Sequence, residues 1–303
     1  MEFHDLFNSI NGYRDKYTDE PIVIKFGGTL AEDPVVVENL AKQVEYLSDH
    51  VHANVILVHG GGVLIDRKLN AAGLQVKKDP VSGIRITDHA SLEIIDRELR
   101  ALNRDLVKQF TAFSPHLSVI GMAGYDGFSI SADAQGDSYT GFAKTVNENY
   151  LKRLINTKGN IPLIYPICLN ENGGSDPRLN VNADTVASVL ASKLKARRLI
   201  LCSDVSGVLD SKKELIKGLS TTHVDELIES QAVTGGMIEK LKSAACSAQQ
   251  LKSGGVVILD GREENSILKE LLTDEGCGTL IRRPERIADM HHPEFTNYRP
   301  NQT

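Results

Sequence analysis

Two lysines, an arginine and a short polar cluster stand out by type and spacing. Lys25 sits inside the apolar run "PIVIKFGG", two residues before Gly27 and Gly28. An ammonium buried in an apolar strand is costly unless an anion meets it; the alternative is an edge strand whose lysine stem reaches water. Lys240 follows "TGGMIE" at the start of a helical pattern. Arg85, in "SGIRITD", carries a planar fork suited to a carboxylate, either a ligand's or that of Asp88 or another acid in a surface salt bridge. "NVNAD" sets Asn180, Asn182 and Asp184 at alternate positions directly before an apolar helical pattern. Such residues cap the free N–H groups of a first helical turn, and the same crowding can face a ligand.

Four loops are rich in glycine: Gly27-Gly28, Gly60-Gly61-Gly62, Gly121 with Gly124 and Gly127, and Gly235-Gly236. Any one of them is read as a tight strand–helix turn. Together, and with two lysines, they suggest backbone N–H groups gathered around an anion of polyphosphate size. The pattern is not a P-loop, because GxxxxGK[ST] is absent, and no GxGxxG dinucleotide fingerprint follows the first strand. His59, before the glycine triplet, is read as a buried structural histidine able to orient that loop. No Ser-His-Asp order and no HExxH appears.

Strands and helices alternate around these residues. Residues 3–16 space Phe3, Leu6, Phe7, Ile10 and Tyr13 as a short amphipathic helix. "PIVIKFGG" and "ANVILVHGGG" are apolar strands ending in glycines, each followed by a helical pattern. "LQVKKDPVSGIRITD" alternates on both sides of a turn and predicts a hairpin. A long amphipathic helix, "ASLEIIDRELRALNRDLVKQFTAF", comes next. Later strands are "HLSVIGMAG", "IPLIYPICLN", "RRLILCSDVSGVLD", "VVILDGRE" and "GTLI", with a soft boundary at "ENGGSDPRLN". This alternation predicts an α/β fold with a largely parallel sheet covered on both faces, its ligands beyond the carboxyl ends of the strands.

The 303 residues carry a net charge of −6 with acids and bases interspersed, so no basic patch points to nucleic acid. No apolar run is long enough for a membrane helix, and the start "MEFHDLFNSINGYRDKY" has no signal-peptide pattern. Cys168, Cys202, Cys246 and Cys277 lie far apart without CxxC spacing. Neither a zinc site nor a disulfide framework is expected, and the chain reads as cytoplasmic and reduced.

The ordered motifs "IVIKFGG", "ILVHGGG", "SGIRITD", "NVNADTVASVLASKL", "LILCSDVSGVLD", "TGGMIEKLKSA" and "VVILDGRE…GCGTLI" resemble the amino-acid kinase family, in its N-acetyl-L-glutamate kinase branch, over about residues 20–282. The resemblance implies a three-layer αβα sandwich with a mainly parallel central sheet. It implies an N-terminal helix (1–20), an amino-acid-binding and dimerisation lobe (21–178), an ATP-binding lobe (179–283) and a polar tail (284–303). The reaction implied is transfer of the γ-phosphoryl group of ATP, with Mg2+, to the side-chain carboxylate of N-acetyl-L-glutamate, a step of arginine biosynthesis.

By the same resemblance, Lys25 and Lys240 flank the transferring group and Asp184 orients both. Gly61, Gly62, Arg85 and Asn180 bind the acceptor. Gly27 and Gly28, Asp204, Val205, Ser206, Gly207, Val208 and Leu209, with Ala232, Val233 and Thr234, bind the nucleotide. No protein-held metal site is implied. A homodimer is expected, or a hexamer if the N-terminal helix interlaces dimers, since "LLTDEGCGTLI" resembles part of an arginine site. Departures occur: "GGGVLI" for "GGGPQI", "GMAGYDG" for "GLSGKDG", and "TGFAKTVN" without the acid of "VGEVxxVN". They leave open a kinase of the same family acting on aspartate, glutamate or an aminoadipate derivative. "KFGGT" looks like aspartate kinase, although the C-terminal regulatory domain expected of that enzyme is missing from this sequence. A non-catalytic sensor is the third reading, against which stand Lys25, Asp184 and Lys240.

Overall fold

The computed structural model describes residues 12–79, 83–173, 176–210, 212–230, 233, 236–251 and 254–284. The first elements are α1 (residues 12–17), β1 (Pro21–Phe26), α2 (Pro34–Tyr46), β2 (Asn54–His59), α3 (Gly62–Ala71), β3 (Lys77–Lys78), β4 (Arg85–Ile86) and α4 (His89–Phe113). There follow β5 (Ser118–Ala123), β6 (Ile130–Ala134), β7 (Thr140–Val146), α5 (Glu148–Ile155), β8 (Asn160–Tyr165), β9 (Ile167–Asn170), β10 (Arg178–Val181) and α6 (Ala183–Lys193). The remainder is β11 (Arg198–Ser203), β12 (Gly218–Ser220), α7 (Thr221–Glu229), α8 (Gly236–Gln250), β13 (Gly255–Asp260), α9 (Ser266–Leu272) and β14 (Thr279–Arg282). Of the predicted N-terminal helix, residues 12–17 are helical, and residues 3–11 lie outside the described residues.

Eight strands form one sheet in the order β12-β14-β13-β11-β1-β2-β8-β5. Pairing is parallel from β13 across to β5; β14 runs antiparallel to β13, and β12 follows β14. The inner strands are apolar almost throughout because both faces are covered. Side chains alternate faces along a strand. Val23 therefore joins the core under α5, α6, α7 and α8, whereas Ile22, Ile24 and Phe26 join the core under α2, α4 and α9. This is the αβα sandwich expected.

One expectation needs correction. β1 lies between β11 and β2, so Lys25 is not on an edge strand and its stem does not escape sideways to water. Between β5 and α6 the chain also holds strands that the sequence pattern did not single out. Strands β6, β7, β9 and β10 close into a four-stranded barrel that leaves no free edge. Its sequence hides it: "ISADA" and "TGFAKTV" are short, and half-polar. Gly141 permits the tight curvature, since a Cβ there would lie 2.9 Å from Leu179.

One buried polar contact links sheet and helix beside the glycine triplet. The Asn103 amide in α4 donates to His59 Nε2 (3.1 Å) and to the Leu163 carbonyl (2.9 Å), while His59 Nδ1 faces the Gly60 carbonyl at 3.3 Å. Gly121 makes the room, because a Cβ there would fall 2.3 Å from Asn103 Oδ1. His59 is thus structural and holds the loop, with Nδ1 as its N–H and Nε2 as acceptor. Removing one partner strands two buried groups, so Asn103→Ala is expected to cost about 3 kcal/mol in urea unfolding.

Burial lowers the His59 pKa to about 4. Between pH 6.5 and 4 the unfolded chain then binds a proton that the folded chain refuses, and stability falls as pH falls. From pH 7 to pH 5 this contributes a loss of about 2 kcal/mol. Urea midpoints for the wild type and His59→Gln should converge on acidification; parallel pH profiles would contradict the assignment.

Candidate active site

The carboxyl ends of β1 and β2 open onto two adjoining cavities. One, of about 390 Å³, is lined by residues that include Gly61, Gly62, Asp66, Lys78, Arg85, Asn180 and Asn182. The other, of about 280 Å³, has Leu30, Cys202, Ser203, Asp204, Lys240 and Ser243 in its wall. Lys25, Gly27, Gly28, Val63 and Asp184 line both. At this shared wall Lys25 Nζ meets Asp184 Oδ1 at 2.8 Å, with the two side chains 19% and 34% exposed. The parallel sheet explains the meeting. Lys25 shares Val23's face, which α6 covers, and Asp184 stands in the first turn of α6.

The glycines bring backbone to this wall. A Cβ on Gly27 would lie 2.9 Å from the Gly60 nitrogen, and Gly28 has φ +62°, so both positions favour glycine. The Gly60 N–H donates to the Phe26 carbonyl at 3.0 Å, binding the two strand ends together. Gly61 precedes α3 and Gly62 opens it, so the first turn of that helix borders the larger cavity. Its free N–H groups and dipole favour an anion there. The N-terminus of α6 meets the same cavity. Asn182 is its cap, accepting from the Asp184 N–H at 2.7 Å.

In the larger cavity Arg85 pairs with Asp66, not with Asp88, and also reaches the Gly62 carbonyl at 3.4 Å. Lys78 reaches the other Asp66 oxygen at 3.0 Å. Burial pushes Asp66 up, but the hydrogen bonds from Arg85 and Lys78 outweigh it and hold the carboxyl below its ordinary range. Asn180 is 6% exposed, and its amide donates to Thr87 Oγ1 at 2.9 Å. The Thr87 N–H donates to Thr140 Oγ1 at 2.9 Å, and that hydroxyl donates to the Arg85 carbonyl at 2.8 Å. The barrel therefore grips β4 and sets the arginine's backbone.

In the smaller cavity Lys240, in the first turns of α8, donates to Ser203 and approaches Asp204 Oδ1 at 3.4 Å. The Asp204 backbone N–H and then Lys240 hold that carboxyl below its usual range. The expectation that Asp184 orients both lysines is corrected here. Asp184 holds Lys25, and Lys240 is anchored by the residues at the end of β11.

The structure brings together Lys25, Lys240, Asp184, Gly27, Gly28, Gly61, Gly62, Arg85, Asn180 and Asp204. Val205, Ser206, Gly207, Val208 and Leu209 run on beyond the smaller cavity without lining it. The Val208 side chain is in the core, Leu209 is exposed, and Gly207 packs on Thr279. Val233 is also in the core, while Ala232 and Thr234 lie outside the described residues. The glycines at 121, 124 and 127 serve packing against Asn103, Cys168 and Tyr150. Gly235 lies outside the described residues, and Gly236 opens α8. Sequence reasoning missed Asp66, Lys78, Thr87 and Ser203. Asp66 could have been found, since it lies one turn beyond Gly62 on the helix that borders the cavity.

Residues 20–259 match the family described as the amino acid kinase family. An acetylglutamate kinase of Pelagibacter ubique is 34% identical over 276 residues, 90% of this chain and 92% of that protein. An acetylglutamate kinase of Campylobacter fetus is 37% identical over 276 residues, 89% of this chain and 94% of its own. Among solved structures, the N-acetylglutamate synthase of Neisseria gonorrhoeae, in complex with coenzyme A and N-acetyl-glutamate, superposes with a TM-score of 0.78 at 22% identity. That match covers 93% of this chain but only 64% of the synthase chain. A carbamate kinase of Giardia superposes with a TM-score of 0.62 at 15% identity, covering 88% of this chain and 99% of its own. These two likenesses concern the fold.

Proposed function

This chain belongs to the amino acid kinase family, and from that membership we propose that it transfers the γ-phosphoryl group of ATP to the side-chain carboxylate of N-acetyl-L-glutamate. The observation that carries the reading is the pair of cavities meeting at Lys25 and Asp184. A carboxylate acceptor seated beyond α3 and a triphosphate seated beside Lys240 would present their reacting ends to one ammonium. An acceptor oxygen bonds to the γ-phosphorus, the bond to the β,γ-bridging oxygen breaks, and its electron pair leaves with ADP. No proton need move, since a carboxylate is already a nucleophile. Catalysis is then positioning and electrostatics.

The chain supplies that positive charge from two sides. Lys25 reaches the junction from the central strand, held by Asp184. Lys240 enters from α8, held by Ser203 and Asp204. The N–H groups of Gly27, Gly28, Gly61 and Gly62 add partial positive charge without a side chain in the way. Mg2+ accompanying the nucleotide supplies further charge neutralisation of the phosphates. Asp184 and Asp204 are each already paired with a lysine, which fits a metal held mainly by the nucleotide. Arg85 and Asn180 would take the acceptor's α-carboxylate.

The charge pattern of the larger cavity supports an N-acylated acceptor over free aspartate or glutamate. Its two lining acids, Asp66 and Asp184, are both engaged by cations, so a free α-ammonium would meet Lys78 and Arg85 instead of an available carboxylate. We assign acceptor binding mainly to the lobe 21–178, joined by Asn180, and nucleotide binding mainly to 179–283, joined by Gly27 and Gly28. On this reading the protein is a cytoplasmic homodimer of arginine biosynthesis. Among the described residues no helix is long and apolar enough to cross a membrane.

A coupled ADP-release assay with MgATP, run with N-acetyl-L-glutamate, L-glutamate, L-aspartate and N-acetyl-aminoadipate and with hydroxylamine trapping, tests the reading. Turnover and a trapped hydroxamate are expected with N-acetyl-L-glutamate. Turnover only with another acid would move the error to the acceptor, and ATP binding without any turnover would favour a sensor. Lys25→Met and Lys240→Met should each lower kcat by about 100-fold or more while melting near the wild-type temperature. A loss confined to KM for either substrate would contradict the charge roles given to them.

A further inference from the structure

Asp66 lines the larger cavity from α3 and pairs with a cation on each strand of the hairpin β3–β4. One oxygen accepts from Arg85 on β4, the other from Lys78 on β3 at 3.0 Å. Its own helix, α3, is the helix whose first turn borders the cavity, and Arg85 also reaches the Gly62 carbonyl in that turn at 3.4 Å. The two strands share a short two-residue ladder, Lys77 with Ile86 and Lys78 with Arg85, continued by the Asp79 N–H donating to the Ile84 carbonyl at 2.8 Å. Lys78 and Arg85 are paired residues in that ladder, so one carboxylate spans a cross-strand pair of like charges. Two cations facing each other across a ladder repel, and Asp66 is what makes their proximity favourable.

We propose that Asp66 is a positioning residue for the acceptor: it fixes the Arg85 and Lys78 cations against the first turn of α3, so that both face the acceptor's α-carboxylate. This rests on the acceptor site assigned under the proposed function. Three features separate the role from a surface salt bridge. Arg85 is 13% exposed, so its contact is shielded from solvent, unlike a rim ion pair. The arginine's backbone is independently fixed through Thr140 and Thr87, which leaves the guanidinium as the part that still needs an anchor. All three charged groups line the same cavity. Asp66 itself would not touch the transferring phosphoryl group, because the Lys25–Asp184 pair stands between the two cavities.

The role predicts a split in the kinetic constants. Asp66→Asn keeps the shape and removes the charge that holds both cations. Its KM for the carboxylate acceptor should rise at least tenfold, with kcat reduced less than threefold and KM for MgATP within twofold of wild type. Asp66→Glu should recover part of the acceptor KM. Lys78→Met, which leaves Asp66 on Arg85, should raise the acceptor KM by only about threefold, and Asp66→Asn with Lys78→Met together should be no worse than Asp66→Asn alone. Acceptor KM unchanged or lowered in Asp66→Asn would overturn the proposal, the second outcome meaning that the carboxylate acts only as repulsive charge. An equal fall in kcat and rise in both KM values, with a lowered melting temperature, would overturn it in favour of a purely structural role. The wild type is first assayed across the acceptors named above, and the variants are read on whichever acid it turns over. A wrong acceptor thus counts against the proposed substrate and leaves the Asp66 comparison intact.

Discussion

Holding an ammonium in the middle of a parallel sheet is the constraint around which the site is arranged. Taking an isolated charge out of water costs several kcal/mol, and an ion pair repays that only with good geometry. Lys25 cannot reach water past a neighbouring strand, since β11 and β2 flank it. Its partner has to come from above the sheet. The first turn of α6 supplies Asp184, and Asn182 caps that turn so that it begins at the right height. The glycines after β1 and β2 keep the strand ends close enough for backbone N–H groups to stand beside the same ammonium. Loss of either partner would leave the other, half-buried and facing the cavities, without its ion pair at the junction.

Around that pair the two cavities are built by different physics. The larger is walled by ion pairs and by a hairpin whose backbone the barrel holds through Thr87, Thr140 and Asn180. The smaller has more apolar wall, with Leu30, Leu201, Cys202 and Ile258, and beyond the shared Lys25–Asp184 pair its charged lining residues are Lys240 and Asp204. A charged, short acceptor and a ligand with one charged and one flat apolar end fit these two environments respectively.

The αβα sandwich was legible in the sequence because buried parallel strands are continuous apolar runs punctuated by glycine. Lys25 and "NVNAD" were legible for the opposite reason: each breaks the local pattern it sits in. What remained hidden has specific causes. The barrel strands β6 and β7 are short, half-polar and stabilised by closure, which no local pattern records. Asp66 and Lys78 are ordinary residues on surface-facing positions, and only the fold brings them to Arg85. Asp184 was expected beside Lys240 from the family resemblance. The end of β11 lies nearer to that lysine, and this proximity follows from sheet order, not from sequence distance. For the loop from Val205 to Leu209 the motif marks a chain segment whose inner residues are core, with Val208 packed beneath the surface it helps to form.

The wall shared by the two cavities makes them thermodynamically inseparable. Any anion that draws Lys25 towards one side takes that ammonium's field from the other, and any anion that arrives second meets the charge of the first. The free energy of binding either ligand therefore contains a term set by the presence of the other. That term must be the same whichever ligand arrives first. Its sign is decided by whether the single ammonium, with the surrounding N–H groups, screens the two anions from one another by more than each must give up to share it. Cooperativity between the substrates is in this sense a property of one side chain's position and would exist without any movement of the fold.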